Sequence, residues 1–582
     1  MALTQGARFI LTFMLLAVLI VVGAVFAGVF LASRGPSVEE GSVLWLRVPA
    51  NLVERKPDDL FGQLVGQRNT VSDVVSALRN AKVDTRIRAV VLVPPLQQGL
   101  WGKVQEIRDA VRDYRMSGKP IVAHLEYGGG LQYYLATACD EIFLTPTSPL
   151  DLVGVASYEL FARDALDTVG VYPDMLHAGN FKTAANVYTE NTFTPFHREM
   201  SESLNRDLYD QLVAAIAEGR RMSPAAVRTL VDDGPFLPND ALSRGLVDGL
   251  TYEDELVDRL SDNDDDVGVV TYADYRKIDA NVLGLGGGPS IAVVYAVGVI
   301  TYGGGGVDVG GSEVIGSEAM VRAIRAARDD ESIEAIILRI DSPGGAAVAS
   351  DIIWREVHLA RQDKPVIASM SDVAASGGYY LAMPADVIVA QPATLTGSIG
   401  VVGGKLALGG TFDKFGVTVE TVADGQMADM NSFVTPYSDQ ARTRVQEQID
   451  AVYEAFLTRV ADNRSMTRDA VGAVAEGRVW TGQQARDVGL IDELGGLTRA
   501  VAIAKDRAGI DADQEVTLVM YPRPRSLLEV LSSSFAVRSG LIGTRWLGVG
   551  APAARVQAAV TAPLRLFRPG EPLALMPFVY VP

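Results

Sequence analysis

The chain has almost no cysteine. Cys139 is the single one in 582 residues, which excludes an intramolecular disulfide framework and any cysteine-based metal cluster. Histidine is nearly as scarce: His124, His177, His197 and His358 are scattered without ligand spacing, so no metal and no other cofactor is expected. Basic residues are outnumbered, 52 Lys and Arg against 71 Asp and Glu, for a net charge of −19. Phosphate backbones are held by clustered Lys and Arg, so this balance argues against a nucleic-acid partner. With 48% hydrophobic and 21% charged residues, the composition is that of a folded protein.

Charge is also missing locally. From Phe9 to Ala32, 24 residues carry none, and at about 1.5 Å per residue such a helix crosses a bilayer core. The run exceeds the apolar core of a cleavable signal peptide and lacks a clear small-x-small cut site. Residues 1–40 are therefore expected to be a single-pass transmembrane anchor in the cell (inner) membrane. The acidic SVEEGS that follows is compatible with a large extracytoplasmic, periplasmic body.

The body contains itself twice. Residues 74–90, VVSALRNAKVDTRIRAV, return as residues 320–336, MVRAIRAARDDESIEAI, 246 positions on. After a one-residue slip the same offset joins Tyr133-Tyr134-Leu135-Ala136 to Tyr379-Tyr380-Leu381-Ala382, Asp140 to Asp386 and Gly179 to Gly425. A repeat this long is a duplicated domain rather than a solenoid. In each copy apolar strands alternate with amphipathic helices, which implies βαβ units and parallel sheet. The expected organisation is a first repeat over 41–255, an acidic then glycine-rich linker over 256–289, a second repeat over 290–510, and an extension over 511–582 with no partner in the other copy.

The second copy carries DSPGG at 341–345, SDVAASGGYYLAMPAD at 371–386 and LTGSIG at 395–400. Ser376 lies among small residues between an apolar strand and a helix, where a substrate backbone can approach and the helix N-terminus favours negative charge. The plainer reading is that Ser376 caps that helix. Pro343 fixes a turn, and Gly344 and Gly345 leave backbone N–H groups unshielded, as an oxyanion hole requires; Gly377 follows the serine and offers a further donor. A serine nucleophile needs a base, yet no histidine follows Ser376.

These motifs together resemble the signal-peptide peptidase family, the membrane-bound serine proteases also called protease IV (serine peptidase family S49), in the long form with two tandem domains. The resemblance covers roughly residues 41–510; Asp341 stands where the family often has Asn. It implies an α/β fold of the crotonase and Clp-protease type, a superhelix of ββα units. It also implies a Ser-Lys dyad working through an acyl-enzyme, with hydrophobic signal-peptide fragments as substrate, and a homotetramer at the membrane. In single-domain relatives the base lysine lies downstream of the serine, a position held here by Ala428. Its partner 246 residues earlier is Lys182, while the counterpart of Ser376 is Gly130. One copy has the lysine and the other the serine. Ser398, by the same resemblance, orients Lys182; as a bare residue it reads equally as a turn hydroxyl. As a base, Lys182 requires burial that disfavours its ammonium form. Two other classes stay open from sequence, a catalytically silent scaffold of this fold and an acyl-CoA-type enzyme using the same backbone donors.

Overall fold

In a computed structural model, the described residues are Gly23 and 38–56, 69–95, 100–260, 268–307, 313–522 and 571–577. The predicted membrane-spanning run Phe9–Ala32 lies outside them except for Gly23; among the described residues no helix is long and apolar enough to cross a membrane. The body is α/β and duplicated. In the first copy, strands Ser42–Arg47, Ile87–Val93, Ile121–Leu125, Glu141–Leu144 and Gly249–Leu250 run parallel as neighbours in one sheet. In the second, Ser290–Val297, Ile333–Ser342, Val366–Ala375, Val387–Ala390 and Glu493–Leu494 do the same.

These strands read as continuous apolar runs because a parallel sheet is covered on both faces. Alternate residues enter opposite cores: Val43, Trp45 and Val91 pack on one side of the first sheet, Leu44, Leu46 and Leu92 on the other. The second sheet divides likewise, with Ile291, Val293 and Ile337 on one face and Val294, Ile336 and Leu338 on the other. The last part of Val366–Ala375 exchanges its neighbour Val387–Ala390 for another strand. There Val373–Ala375 pairs with Leu395–Gly397, itself antiparallel to Val479–Thr481.

A third sheet joins the copies. Its order is Gly306–Val307, Glu313–Gly316, Val299–Thr301, Gly344–Ala346, Leu573–Leu575, Val401–Ala407 and Tyr172–Ala178. Its last pair is made across the repeat, Val401–Ala407 lying antiparallel to Tyr172–Ala178 of the first copy over seven residues.

Two expectations about the connecting segments change. The expected linker 256–289 is largely structured where described: Val269–Thr271 adds an edge strand parallel to Val43–Trp45, and Tyr272 and Tyr275 are buried in the first core. The extension beyond 510 does have a partner in the other copy, because Thr517–Tyr521 forms the same edge strand on Ser290–Val294. The hydroxyl of Tyr275 donates to Asp84 at 3.1 Å and that of Tyr521 to Asp330 at 2.6 Å, and both residues keep the 246-residue offset. An edge strand needs only one good face, so a short Val-Val-Thr beside an acidic run carries little sequence signal. Apart from 571–577, the chain beyond Pro522 lies outside the described residues.

Candidate active site

Ser376 ends the strand Val366–Ala375 and starts the helix Gly377–Ala382. Its backbone sits at φ 55° and ψ −111°, a region few residues other than glycine adopt. Such strain persists only where neighbours over-determine it, and it concentrates at functional sites. Here the Ser376 N–H donates to the Gly397 carbonyl at 2.7 Å, and its carbonyl accepts from the Tyr380 N–H at 2.9 Å. The side chain does not cap the helix. The capping alternative therefore fails, and the hydroxyl is turned elsewhere.

It is turned to Lys182. Nζ of Lys182 lies 2.7 Å from Ser376 Oγ, 3.0 Å from Ser398 Oγ and 2.8 Å from the Ser398 carbonyl oxygen. All three residues are buried, Ser376 and Ser398 at 0% exposure and Lys182 at 1%. Burial lowers the Lys182 pKa well below its ordinary value, because desolvation penalises the ammonium and no carboxylate offsets that cost. A neutral amine in this position is able to accept a proton from the serine hydroxyl.

Both copies are needed to place that amine. The strand Tyr172–Ala178 delivers the loop 179–182 along its pairing with Val401–Ala407. The Phe181 N–H donates to the Glu476 carbonyl at 2.7 Å, and the Asn180 N–H to the Glu476 carboxylate at 3.0 Å. Gly477 must be glycine: at φ 80°, a Cβ there would stand 2.5 Å from the Lys182 Cα. Its N–H donates to Ile399, and Arg478 accepts from the Ser398 N–H, each at 2.7 Å. Glu476 and Gly477 were not singled out from sequence, since an Ala-Glu-Gly turn has no chemistry of its own.

The glycines of DSPGG reach the same place. A Cβ on Gly377 would lie 3.0 Å from the Gly344 Cα and 3.1 Å from the Gly345 nitrogen, so the turn and the helix start are in contact. The Gly344 N–H donates to Ser342 Oγ at 3.2 Å, which leaves the amides of Gly345 and Gly377 as the closer pair of candidate donors. Beneath the turn, Lys103 of the first copy binds Asp341 and Asp372 at 2.6 Å each, and the Val373 N–H donates to Asp341 at 3.2 Å. Burial, reinforced by the neighbouring Asp341, raises the Asp372 pKa to about 6 although Lys103 opposes it. Burial pushes Glu54 the same way, but Arg339 and Lys103 prevail and hold it at about 2. This ionic knot was legible only as unrelated charges; no periodicity links Lys103 to Asp372.

A buried lysine bonded to a strained serine beside paired backbone amides is the arrangement a serine hydrolase needs when a primary amine stands where others have histidine. The chain belongs to peptidase family S49, whose model matches residues 113–267 and 358–511. It is 37% identical over 472 residues to the chloroplastic serine protease SPPA of Arabidopsis thaliana, covering 80% of this chain and 69% of that one. Protease 4 of Salmonella typhi is 32% identical over 76% of this chain and 72% of its own. Protease 4 of Haemophilus influenzae is 30% identical over 86% and 83%. Among solved structures, a membrane-bound stomatin-specific protease with a substrate peptide aligns with 42% of this chain and 97% of its own, at 16% identity and a TM-score of 0.25. The protein is a serine endopeptidase of that family.

Proposed function

We propose that Ser376 is the nucleophile, Lys182 its general base, and Ser398 the residue that aims the amine. The observation that carries this is a fully buried lysine with no carboxylate partner among the described residues, 2.7 Å from the serine hydroxyl. Neutral Lys182 takes the Ser376 proton as Oγ attacks the scissile carbonyl. The amides of Gly345 and Gly377, with Gly344 once its N–H leaves Ser342, stabilise the oxyanion. Lys182 passes the proton to the leaving amine and then activates the water that hydrolyses the acyl-enzyme.

The substrates in this reading are hydrophobic peptides, remnant signal peptides among them, met at the membrane by an enzyme anchored through Phe9–Ala32. The apolar lining supports it, since Met200, Leu204 and Val373 pack together beside the nucleophile. A homotetramer fits the exposed apolar residues of both copies, among them Leu160 at 77%, Phe415 at 78% and Val422 at 99%. Ser376→Ala is expected to lower hydrolysis of a fluorogenic hydrophobic peptide ester on the order of 10⁴-fold or more, and Lys182→Ala by roughly 10²–10⁴-fold, with folding intact. Substantial activity in either variant refutes the dyad. Protease shaving of spheroplasts with N-terminal sequencing tests the anchor; light scattering of the purified protein tests the tetramer.

A further inference from the structure

The cleft beside the nucleophile is filled by the chain itself. Residues Leu573–Leu575 form a strand between Gly344–Ala346 and Val401–Ala407, antiparallel to both. One flanking strand carries the DSPGG glycines and the other follows Ser398, so the segment lies between the two halves of the site. Its register is Gly344 with Leu575, Gly345 with Ala574 and Ala346 with Leu573. The ladder continues at both ends: the Ala347 N–H donates to Pro572 at 3.2 Å and the Met576 N–H to Pro343 at 2.9 Å.

An extended peptide added antiparallel to a sheet edge is a general way of binding a peptide: main-chain hydrogen bonds hold it and alternate side chains fill pockets. Both features are present. Leu573 and Leu575 pack with Ala184, Ala185 and Val402, next to the loop that carries Lys182. Met576 packs with Met200 and Ala375, next to Ser376. Between them the Ala574 carbonyl is aimed at the candidate oxyanion donors: a Cβ added to Gly344 would meet that oxygen at 2.0 Å and the Gly377 nitrogen at 2.7 Å. Only glycine permits this approach. With the strand in place the nucleophile has no exposed surface, so a second peptide cannot reach it.

We infer that Pro572–Met576 is an intramolecular peptide ligand of this site, bound as a substrate strand binds with Ala574 in the acyl position, and that it must leave before another peptide enters. The inference rests on Ser376 being the nucleophile. It also specifies the class of peptide the groove takes: extended, with a small residue at the acyl position between two leucines. Tethering gives the segment a high local concentration, so it outcompetes weak ligands and yields to those that bind more tightly or in excess.

The test is the rate at which a fluorophosphonate probe labels Ser376 in the full-length protein. Leu573→Asp/Leu575→Asp places carboxylates in apolar pockets and is expected to speed labelling by about tenfold or more. Leu575→Ala, a milder change for use if the double variant folds poorly, is expected to speed it by a smaller factor. The synthetic peptide Glu-Pro-Leu-Ala-Leu-Met-Pro should slow labelling of either variant, and a scrambled peptide should not. Equal labelling rates in wild type and folded variants, or no effect of the peptide, overturns the inference while leaving Ser376 as nucleophile. No labelling of Ser376 in any chain overturns the nucleophile assignment itself, and the inference with it.

Discussion

The two copies share their framework and differ where the chemistry lies. Asp140 accepts from the Ile121 N–H and Asp386 from the Val366 N–H, at 3.0 and 2.9 Å. Tyr133 donates to the Leu246 carbonyl and Tyr379 to that of Leu490. Lys119 and Lys364 each bind carbonyls at the end of an earlier helix of their copy, Ala81 and Asp84 for Val71–Val83 in one, Ala327 and Asp330 for Ser317–Asp329 in the other. These bonds satisfy backbone and side-chain groups of the framework that the two copies share, so both copies need them. The proposed catalytic positions obey no such rule: Gly130 is the repeat counterpart of Ser376, and Ala428 that of Lys182. A single functional site requires one serine and one lysine, and the interlocking third sheet lets each copy supply one.

The comparison breaks most severely if the copies are separated. Residues 38–283, which keep the edge strand and Tyr275 of the first core, and 284–582, produced apart, are each expected to show no peptidase activity, and mixing them should restore part of it if the third sheet reforms. Near-full activity in the second piece alone would remove Lys182 from the mechanism.

Next in size is Lys103, the bridge under the DSPGG turn. Lys103→Met leaves buried Asp372 and half-buried Asp341 without their cation, at a cost of about 3–5 kcal/mol by chemical denaturation. Peptidase activity should fall too, although Lys103 touches no reacting atom, because the turn bearing Gly344 loses its support. An unchanged denaturation midpoint would show that the copies do not depend on this knot.

Placing the base in the other copy should fail. Ala428 is exposed, so an amine there stays protonated and hydrated. Ala428→Lys in a Lys182→Ala background is expected to give no rescue of hydrolysis; measurable rescue would mean that desolvation by the 179–182 loop is dispensable.

Lys182 itself should carry a small stability cost that is opposite in sign to its catalytic value. Its folded pKa is depressed, whereas the unfolded value is near 10.4. Between the two the unfolded chain binds the extra proton, so stability rises with pH in that window. Lys182→Met is thus expected to raise the melting temperature at pH 7, with the gain shrinking as pH approaches the unfolded value. The smallest effect belongs to Gly130→Ser. A Cβ at Gly130 meets nothing within 4 Å, so restoring the serine should leave both stability and activity unchanged.

Much of this was legible in the sequence for identifiable reasons. Apolar runs bounded by turns gave the parallel strands, and the duplication singled out Lys182 and Ser376 because each is missing from the other copy. The structure brings those two together with Ser398 and the glycines named from DSPGG and SGG. Four elements escaped. The edge strands at Val269–Thr271 and Thr517–Tyr521 are short and half-exposed, with too little periodicity to register. The Glu476–Gly477 turn acts through backbone contact, which residue type does not advertise. Leu573–Leu575 is three apolar residues near the end of a proline-bearing stretch, and its place between two distant strands follows only from the assembled sheet.

In the proposed active site the base comes from the first copy and the nucleophile from the second. The most direct measurement is the pH dependence of fluorophosphonate labelling at Ser376 in wild type and Lys182→Ala. The wild-type rate is expected to rise through a single limb well below the ordinary lysine pKa and then level, as the buried amine loses its proton, while Lys182→Ala stays near background throughout. A Lys182→Ala chain that labels as fast as wild type, with the same limb, would contradict the account.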